Sequence, residues 1–323
     1  MAVPHKHMTG PFKPTLRALY LALLVSGPVA AAVSFFMTRA NPQHRPLSLA
    51  ELLKISSERQ TLAPVAELNL LCAQGLEAGN GPDLAQCQST ISLWAKHVQS
   101  ETERHRYRFT KNPAEFENSE GFFKMLMLAV VLAEDYNVHY DERRKSAPDS
   151  AAAADGFFSE PKSVFLHGLL GPERQGTCSS LPVLFVAIGR ELGYPLKLVT
   201  TKSHMFVRWE GAAERFNIEA SGNHGLNRFP DEYYRHWPFE VTPAEEKAEG
   251  YLKSLTPSEE FAVFLSIRGM CLRDMGRLPE AVDAFAGAAR LAPSCRSYRE
   301  MLASLQARLR SALPQKLSLA NEI

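Results

Sequence analysis

The chain has 323 residues, of which 45% are hydrophobic and 22% are charged. This length and composition allow about two folded domains and exclude a collagen-like or globally disordered chain. Lys and Arg total 36 against 35 Asp and Glu, a formal net charge of +1. The chain therefore offers no summed positive field for nucleic acid or another polyanion. The 5 cysteines are too few for a disulfide scaffold.

The most apolar stretch is near the N-terminus, where Ala18–Met37 runs 20 residues without a charge. As a helix, it is long enough to cross a hydrocarbon core of about 30 Å. We therefore expect residues 1–17 in the cytoplasm, a transmembrane signal anchor at 18–37, and export of the rest. The alternative is a signal peptide cleaved at Ala30-Ala31-Ala32, followed by secretion. The apolar residues after that site favour the anchor.

Export would place the cysteines in an oxidising compartment, where disulfides persist. Cys72 and Cys87 flank a turn-rich stretch and are predicted to form a disulfide. Cys271 and Cys295 form a second possible pair, which leaves Cys178 without a partner. The alternative is that all five are free thiols that pack as small apolar side chains.

Helical periodicity dominates the part of the chain that follows the anchor. Residues 38–64 are predicted to hold a linker and a first helix, with a break at Pro64. A second helical stretch covers Leu84–Arg106, and a third covers residues 121–136. The third is apolar on nearly every face, which predicts a buried core helix. Ala147–Asp155 has no apolar period and is predicted to be a loop.

The middle of the chain is predicted to form one helix followed by three strands. Apolar residues between about Cys178 and Leu192 fall on one helical face, and Gly193 then ends the helix. The β-like runs are Leu196–Thr201, His204–Trp209 and Arg215–Glu219, with a hairpin turn between the last two. We therefore expect a helix packed against an antiparallel sheet.

Cys178, His204 and Glu219 form the candidate catalytic set. Cys178 lies at the start of the predicted helix, where unpaired N–H groups and the macrodipole favour a thiolate. A cysteine nucleophile also needs an imidazole within hydrogen-bond reach and a third group that orients the imidazole. Because side chains alternate along strands, His204 and Glu219 share a face only if the hairpin turn has an even number of residues. The alternatives are a structural cysteine at a tight turn and an ordinary surface acid.

Three stretches resemble the transglutaminase-like superfamily, which has a papain-type cysteine fold: GTCSSLPVLFVAIGRELGYPLKLVTTKSHMFVRW, RFNIEAS and ENSEGFFKMLMLAVVLAEDYNVHY. The resemblance implies an α+β fold for residues 65–240, with a helical N-terminal lobe and a catalytic helix packed on an antiparallel sheet. It makes Cys178 the nucleophile, His204 the general base and Glu219 the orienting acid, where the superfamily usually has Asp. The backbone N–H of Cys178, helped by Gln175, would stabilise the oxyanion.

This resemblance implies a membrane-anchored thiol enzyme that forms a thioester at an amide carbonyl of a protein or peptide substrate. Hydrolysis, as in a peptidase or amidase, is the first expectation, and acyl transfer to an amine is the second. The similar proteins are bacterial, so we expect attachment to the inner membrane through Ala18–Met37 and a periplasmic main domain. No cofactor or metal is expected, since the histidines lack metal-ligand spacing.

Residues 241–323 are predicted to be helical, and Phe264–Pro293 resembles one tetratricopeptide unit. Small residues at Gly269 and Ala281 would let two helices approach, while Phe285 fills the space between them. A single unit cannot bury its own apolar face, so we expect it to dock on a neighbouring surface. It serves either as a brace or as a binding site for a protein partner. The partner role belongs to the alternative function, a non-catalytic membrane-tethered scaffold that also binds through the papain-like domain.

Overall fold

The computed structural model describes residues 49–54, 63–77, 81–144, 156–220 and 226–320. The helices are α1 (Leu49–Leu52), α2 (Val65–Ala73), α3 (Leu84–Lys111), α4 (Glu120–Val130), α5 (Pro161–Val164), α6 (Leu166–Leu170), α7 (Leu181–Glu191), α8 (Asp231–His236), α9 (Pro243–Glu249), α10 (Pro257–Asp274), α11 (Leu278–Leu291) and α12 (Arg296–Ala320). The strands are β1 (His139–Tyr140), β2 (Gln175–Gly176), β3 (Leu196–Thr201), β4 (His204–Glu210) and β5 (Arg215–Ile218). The mixed α+β class expected from the sequence is therefore confirmed.

The predicted anchor Ala18–Met37 and the predicted loop Ala147–Asp155 lie outside the described residues. Within the part of the chain that the structure describes, no helix combines the length and the apolar character needed to cross a membrane.

The N-terminal helices begin at the residues that their sequences indicate. Helix α2 starts directly after Pro64, and almost all of its side chains are buried. The Asp83 side chain caps α3 by accepting from the N–H of Gln86 at 3.0 Å. The Ser119 hydroxyl oxygen caps α4 by accepting from the N–H of Phe122 at 2.9 Å. Such caps satisfy N–H groups that have no partner inside the helix. The expectation that α4 is a buried core helix is confirmed.

Helix α7 starts at Leu181, three residues later than predicted, and Cys178 lies in the turn before it. The Ser180 hydroxyl oxygen accepts from the N–H of Thr177 at 3.0 Å and so closes this turn. Pro182, which lies in the first turn of α7, is typical of a helix start. The helix ends before Gly193, whose φ of 73° favours glycine.

Strands β3, β4 and β5 form one antiparallel sheet in that order, at the positions predicted. Glu210 pairs with Arg215, so the hairpin turn has four residues, 211–214. The turn length is therefore even, and Val207 pairs with Ile218. One step further along the register, Glu219 lies across from Phe206, on the face that also carries His204.

The two faces of this sheet have different surroundings. The face that carries Met205, Val207 and Trp209 packs into the main apolar core together with α7. The opposite face carries Phe206, which belongs to a smaller apolar cluster with Tyr234 of α8. The candidate catalytic residues on the sheet therefore lie on the face that α8 covers.

Helices α10 and α11 pack closely, as the small residues in the sequence predict. A Cβ atom at Gly269 would lie 2.5 Å from the ring of Phe285, a distance that only glycine tolerates. The guanidinium of Arg268 on α10 donates to the carbonyl oxygens of Cys72 and Gln74 at 2.8 and 2.6 Å. Because these carbonyls lie at the C-terminal end of α2, the helical pair is docked on the N-terminal helices.

A buried ion pair makes a second connection between α10 and the rest of the fold. Glu260 is only 1% exposed, and both of its carboxylate oxygens accept from Arg190 of α7, at 2.6 and 2.9 Å. A buried carboxylate needs such pairing, because an unpaired charge is costly to remove from water. Helix α10 is therefore joined to the helix that follows Cys178.

Candidate active site

The structure brings His204 and Glu219 into direct contact. His204 is the first residue of β4, after a tight turn in which Ser203 has a φ of 59°. Its Nε2 donates to Oε2 of Glu219 at 2.7 Å, and each side chain is 4% exposed. Solvent is therefore largely excluded from this pair, and a hydrogen bond between charged groups is stronger in such surroundings.

Cys178 lies beside this pair, and its sulfur interacts with the His204 imidazole. Nε2 is bonded to Glu219, which leaves Nδ1 as the ring nitrogen available to the thiol. Burial alone lowers the pKa of His204, but the Glu219 carboxylate and the hydrogen bonds to Cys178 and Glu219 raise the pKa to about 10. The imidazole therefore keeps its proton at neutral pH, and an imidazolium stabilises a neighbouring thiolate.

Tyr140 is a site residue that sequence analysis missed. It lies in β1, which pairs in parallel with β2 so that Tyr140 is opposite Gly176. Its hydroxyl lies beside the backbone N–H and the sulfur of Cys178, and both affect its pKa. Burial and the neighbouring Cys178 raise the pKa of the Tyr140 hydroxyl, so it stays a donor at working pH. Two-residue strands leave no periodic signal, which is why the pairing could not be predicted.

Two aromatic side chains from the α8 region cover the His204–Glu219 pair, and they too were missed. The Tyr234 hydroxyl donates to Oε2 of Glu219 at 3.4 Å, and its ring stacks on Phe206 with centroids 3.7 Å apart. The ring of Trp237 meets His204 edge to face at 4.7 Å. The cluster YYRHWPF in the sequence is the signal that could have indicated an aromatic cover.

Helix α8 is attached to the sheet by a buried polar network. Arg208 of β4 is 1% exposed and donates to Asp231 at 2.6 Å and to the Asn217 side-chain oxygen at 2.8 Å. Asn217 in turn donates to Asp231 at 2.7 Å. Because Asp231 begins α8, this network fixes the helix that carries Tyr234.

Gln175, the second predicted oxyanion donor, is engaged elsewhere. Its side-chain amide donates to the Glu173 carboxylate at 2.8 Å near the surface. The residue lines a small cleft with Lys162 and His167. Tyr140 thus interacts with Cys178, whereas the Gln175 amide is bonded to Glu173. The oxyanion role of Gln175 stays a prediction.

All five cysteines are free thiols in the structure, so neither predicted disulfide is present. Cys72 belongs to the buried core of α2, whereas Cys87 packs at the margin of that core. Burial raises the pKa of Cys72, that of Cys87 to about 11 and that of Cys271 to about 12. Burial also raises the pKa of Cys295. These four thiols therefore stay protonated at neutral pH, and a thiol is a much weaker nucleophile than a thiolate.

Within the described ranges, no group of three His, Cys, Asp or Glu residues is placed to hold a metal ion. The residues that are gathered at the site can support nucleophilic attack by sulfur, with proton transfer through His204.

Comparisons with known proteins do not identify a family for this chain, so the function is inferred from the site itself. No protein-family model and no curated protein matches the chain. Among solved structures, the chain is similar to one titled "Crystal structure of menin reveals the binding site for Mixed Lineage Leukemia (MLL) protein". The identity is 11% and the TM-score 0.32, over 82% of this chain and 67% of that one. A likeness at this level carries no argument about fold or activity.

Proposed function

We propose that this protein is a thiol enzyme that cleaves amide bonds through Cys178, His204 and Glu219. The observation that carries the proposal is the 2.7 Å hydrogen bond between His204 and Glu219, with the Cys178 sulfur beside the same imidazole. A nucleophile, a base within reach and a group that orients the base are the three parts that covalent acyl transfer needs.

Acylation begins when the Cys178 thiolate attacks the carbonyl carbon of the amide. The developing oxyanion lies near the backbone N–H of Cys178 and the hydroxyl of Tyr140, and both can donate to it. The His204 imidazolium then gives its proton to the leaving nitrogen, the carbon–nitrogen bond breaks, and a thioester forms on Cys178. The amine product leaves with that proton.

Deacylation reverses the direction of proton transfer. His204, now neutral, removes a proton from water, and the resulting hydroxide attacks the thioester carbonyl. The carbon–sulfur bond breaks, which releases the carboxylic acid and restores the thiolate beside the imidazolium. An amine in place of water would give the crosslinking reaction, and hydrolysis remains our first choice because water needs no dedicated site.

Glu219 orients the imidazole despite the extra methylene that distinguishes it from the Asp of the resembled superfamily. Its carboxylate reaches Nε2 at 2.7 Å, and Tyr234 donates to the same carboxylate oxygen. A fixed carboxylate holds the ring with Nδ1 facing sulfur and stabilises the imidazolium. We therefore assign the longer side chain the same role.

The finer fold assignment is part of this proposal. A thiol at the turn before α7, a histidine on β4 and an acid after β5 support the papain-type, transglutaminase-like core that the sequence resembles. Anchoring at the inner membrane through Ala18–Met37 is also proposed, from the sequence alone. The contacts of α10 with α2 and α7 favour a bracing role for the C-terminal helices.

Acylation by p-nitrophenyl acetate tests the proposed function without knowledge of the natural substrate. We expect a burst of about one equivalent of p-nitrophenolate, and mass spectrometry should locate the acetyl group on Cys178. Cys178→Ala should show no burst, whereas Cys271→Ala should keep it, because burial holds Cys271 protonated. A burst that survives Cys178→Ala would refute the proposal.

A further inference from the structure

A row of aromatic rings leads from the surface to the candidate catalytic imidazole. Phe229 stacks on Tyr233 with centroids 4.0 Å apart, Tyr233 stacks on Trp237 at 5.4 Å, and Trp237 meets His204 at 4.7 Å. Phe229, Tyr233 and Trp237 are each only partly buried, so each ring keeps an open part. We call these three residues the aromatic row.

The proposed proton transfers indicate which part of the substrate lies near the aromatic row. His204 delivers its proton to the leaving nitrogen, so that nitrogen and the group attached to it must lie on the imidazole side of Cys178. Tyr140, beside Cys178, is the side chain that we assign to the carbonyl oxygen. Because Trp237 contacts the imidazole, the aromatic row extends from the leaving-group side of the site.

The charged side chains around the row are engaged with one another. His236 contacts the carboxylates of Glu232 and Glu240 at 3.0 and 2.9 Å. Arg235 donates to Glu246 at 3.0 Å. A ligand on the row therefore meets the exposed parts of the rings, and aromatic surfaces bind aromatic and large apolar groups best.

We propose that the aromatic row is a specificity subsite that binds an aromatic or large aliphatic residue on the leaving-amine side of the scissile amide. This inference rests on the proposed thiol-enzyme function and names its substrate class. The residue packs against the open parts of Trp237 and Tyr233 and so positions the leaving nitrogen beside His204. A contact of this kind discriminates apolar from small side chains by about tenfold or more.

Cleavage of a randomised decapeptide library by the full-length chain tests the proposal. Mass spectrometry gives the residue that follows each cleaved bond. We expect Phe, Tyr, Trp and Leu to be enriched over Gly by about tenfold at that position for the wild-type protein. Tyr233→Ala should bring the enrichment close to one. Tyr107→Ala, which removes a ring that is 56% exposed on α3, is the control and should leave it unchanged.

The enrichment is a ratio of rates within one sample, so partial unfolding of a variant does not alter it. Trp237→Phe, which keeps a ring beside His204, should retain most of the preference. Equal cleavage of all library members by the wild type, or full enrichment in Tyr233→Ala, would overturn this inference and leave the thiol-enzyme proposal standing. Cleavage that persists in Cys178→Ala, or no cleavage at all, would overturn both.

Discussion

The candidate active site and the C-terminal helical pair are stabilised by different kinds of contact. The site gathers Tyr140, Cys178, His204 and Glu219 from four separate segments, and polar contacts connect them. The pair α10–α11 is built from one continuous segment, and the Phe285 ring packs directly against Gly269.

This contrast separates the effects that substitutions should have. In the site, the removal of one polar group changes how protons and charge are handled, while the volume of the apolar core stays the same. In the helical pair, a change of volume alters packing density, which lowers the free energy of unfolding and leaves the chemistry of each folded molecule unchanged. Substitutions in the two regions can therefore be distinguished by activity per folded molecule.

The largest expected effect is that of Cys178→Ala. The variant lacks the nucleophile, so acylation by p-nitrophenyl acetate should fall by at least about 10³-fold. The thermal midpoint should change little, because Cys178 is only partly buried and lies in a turn. Stopped-flow absorbance and differential scanning calorimetry measure the two quantities. A folded variant with wild-type acylation would remove Cys178 from the site.

Glu219→Gln should lower acylation by about 10³-fold. The amide keeps the size of the carboxylate but cannot stabilise the imidazolium, and it permits the wrong orientation of the ring. Glu219→Asp is the matched control, since it keeps the charge and should recover part of the rate. If Glu219→Gln and Glu219→Asp lost equal activity, the charge would not be the property that matters.

Tyr140→Phe should lower acylation by about 10²-fold, which is the usual effect of the loss of one oxyanion donor. The ring stays in place, so the thermal midpoint should remain near that of the wild type. Tyr194→Phe, which removes a hydroxyl from a half-buried tyrosine after α7, serves as the control. A rate that rises in Tyr140→Phe would instead make the hydroxyl an inhibitor of the resting thiol.

The smallest expected effect on chemistry comes from Gly269→Leu. A side chain at this position collides with the Phe285 ring, so the free energy of unfolding should fall by about 1–3 kcal/mol. Acylation per folded molecule should stay within about twofold of the wild type. Ala286→Leu, on the exposed side of α11, should cost little stability. Equal stability of the two variants would contradict the close packing.

Much of the fold could be predicted because its signals are local. Apolar periodicity gave the core helix α4, and alternation gave all three strands of the main sheet. Apolar spacing alone predicts that α7 starts at Cys178. Pro182 is a further signal in the sequence, and it indicates the observed start at Leu181.

Other features depend on contacts between distant residues. The parity of the hairpin turn decided whether His204 and Glu219 share a face, and four turn residues are as compatible with the sequence as three. The contacts of Tyr140 with Cys178 and of Trp237 with His204 are set by tertiary packing. Periodicity carries no information about such contacts, so a large part of the site emerged only from the structure.

The pH dependence of Cys178 alkylation by iodoacetamide shows whether a thiolate lies beside the protonated His204. The pKa of His204 is raised to about 10, so its proton is present below that pH and lost above it. We expect rapid labelling of Cys178 at pH 6–7, because the protonated imidazole favours a thiolate beside it. We also expect His204→Ala to abolish this rapid labelling. Slow labelling at pH 6–7, with the same profile in both proteins, would rule out a thiolate–imidazolium pair.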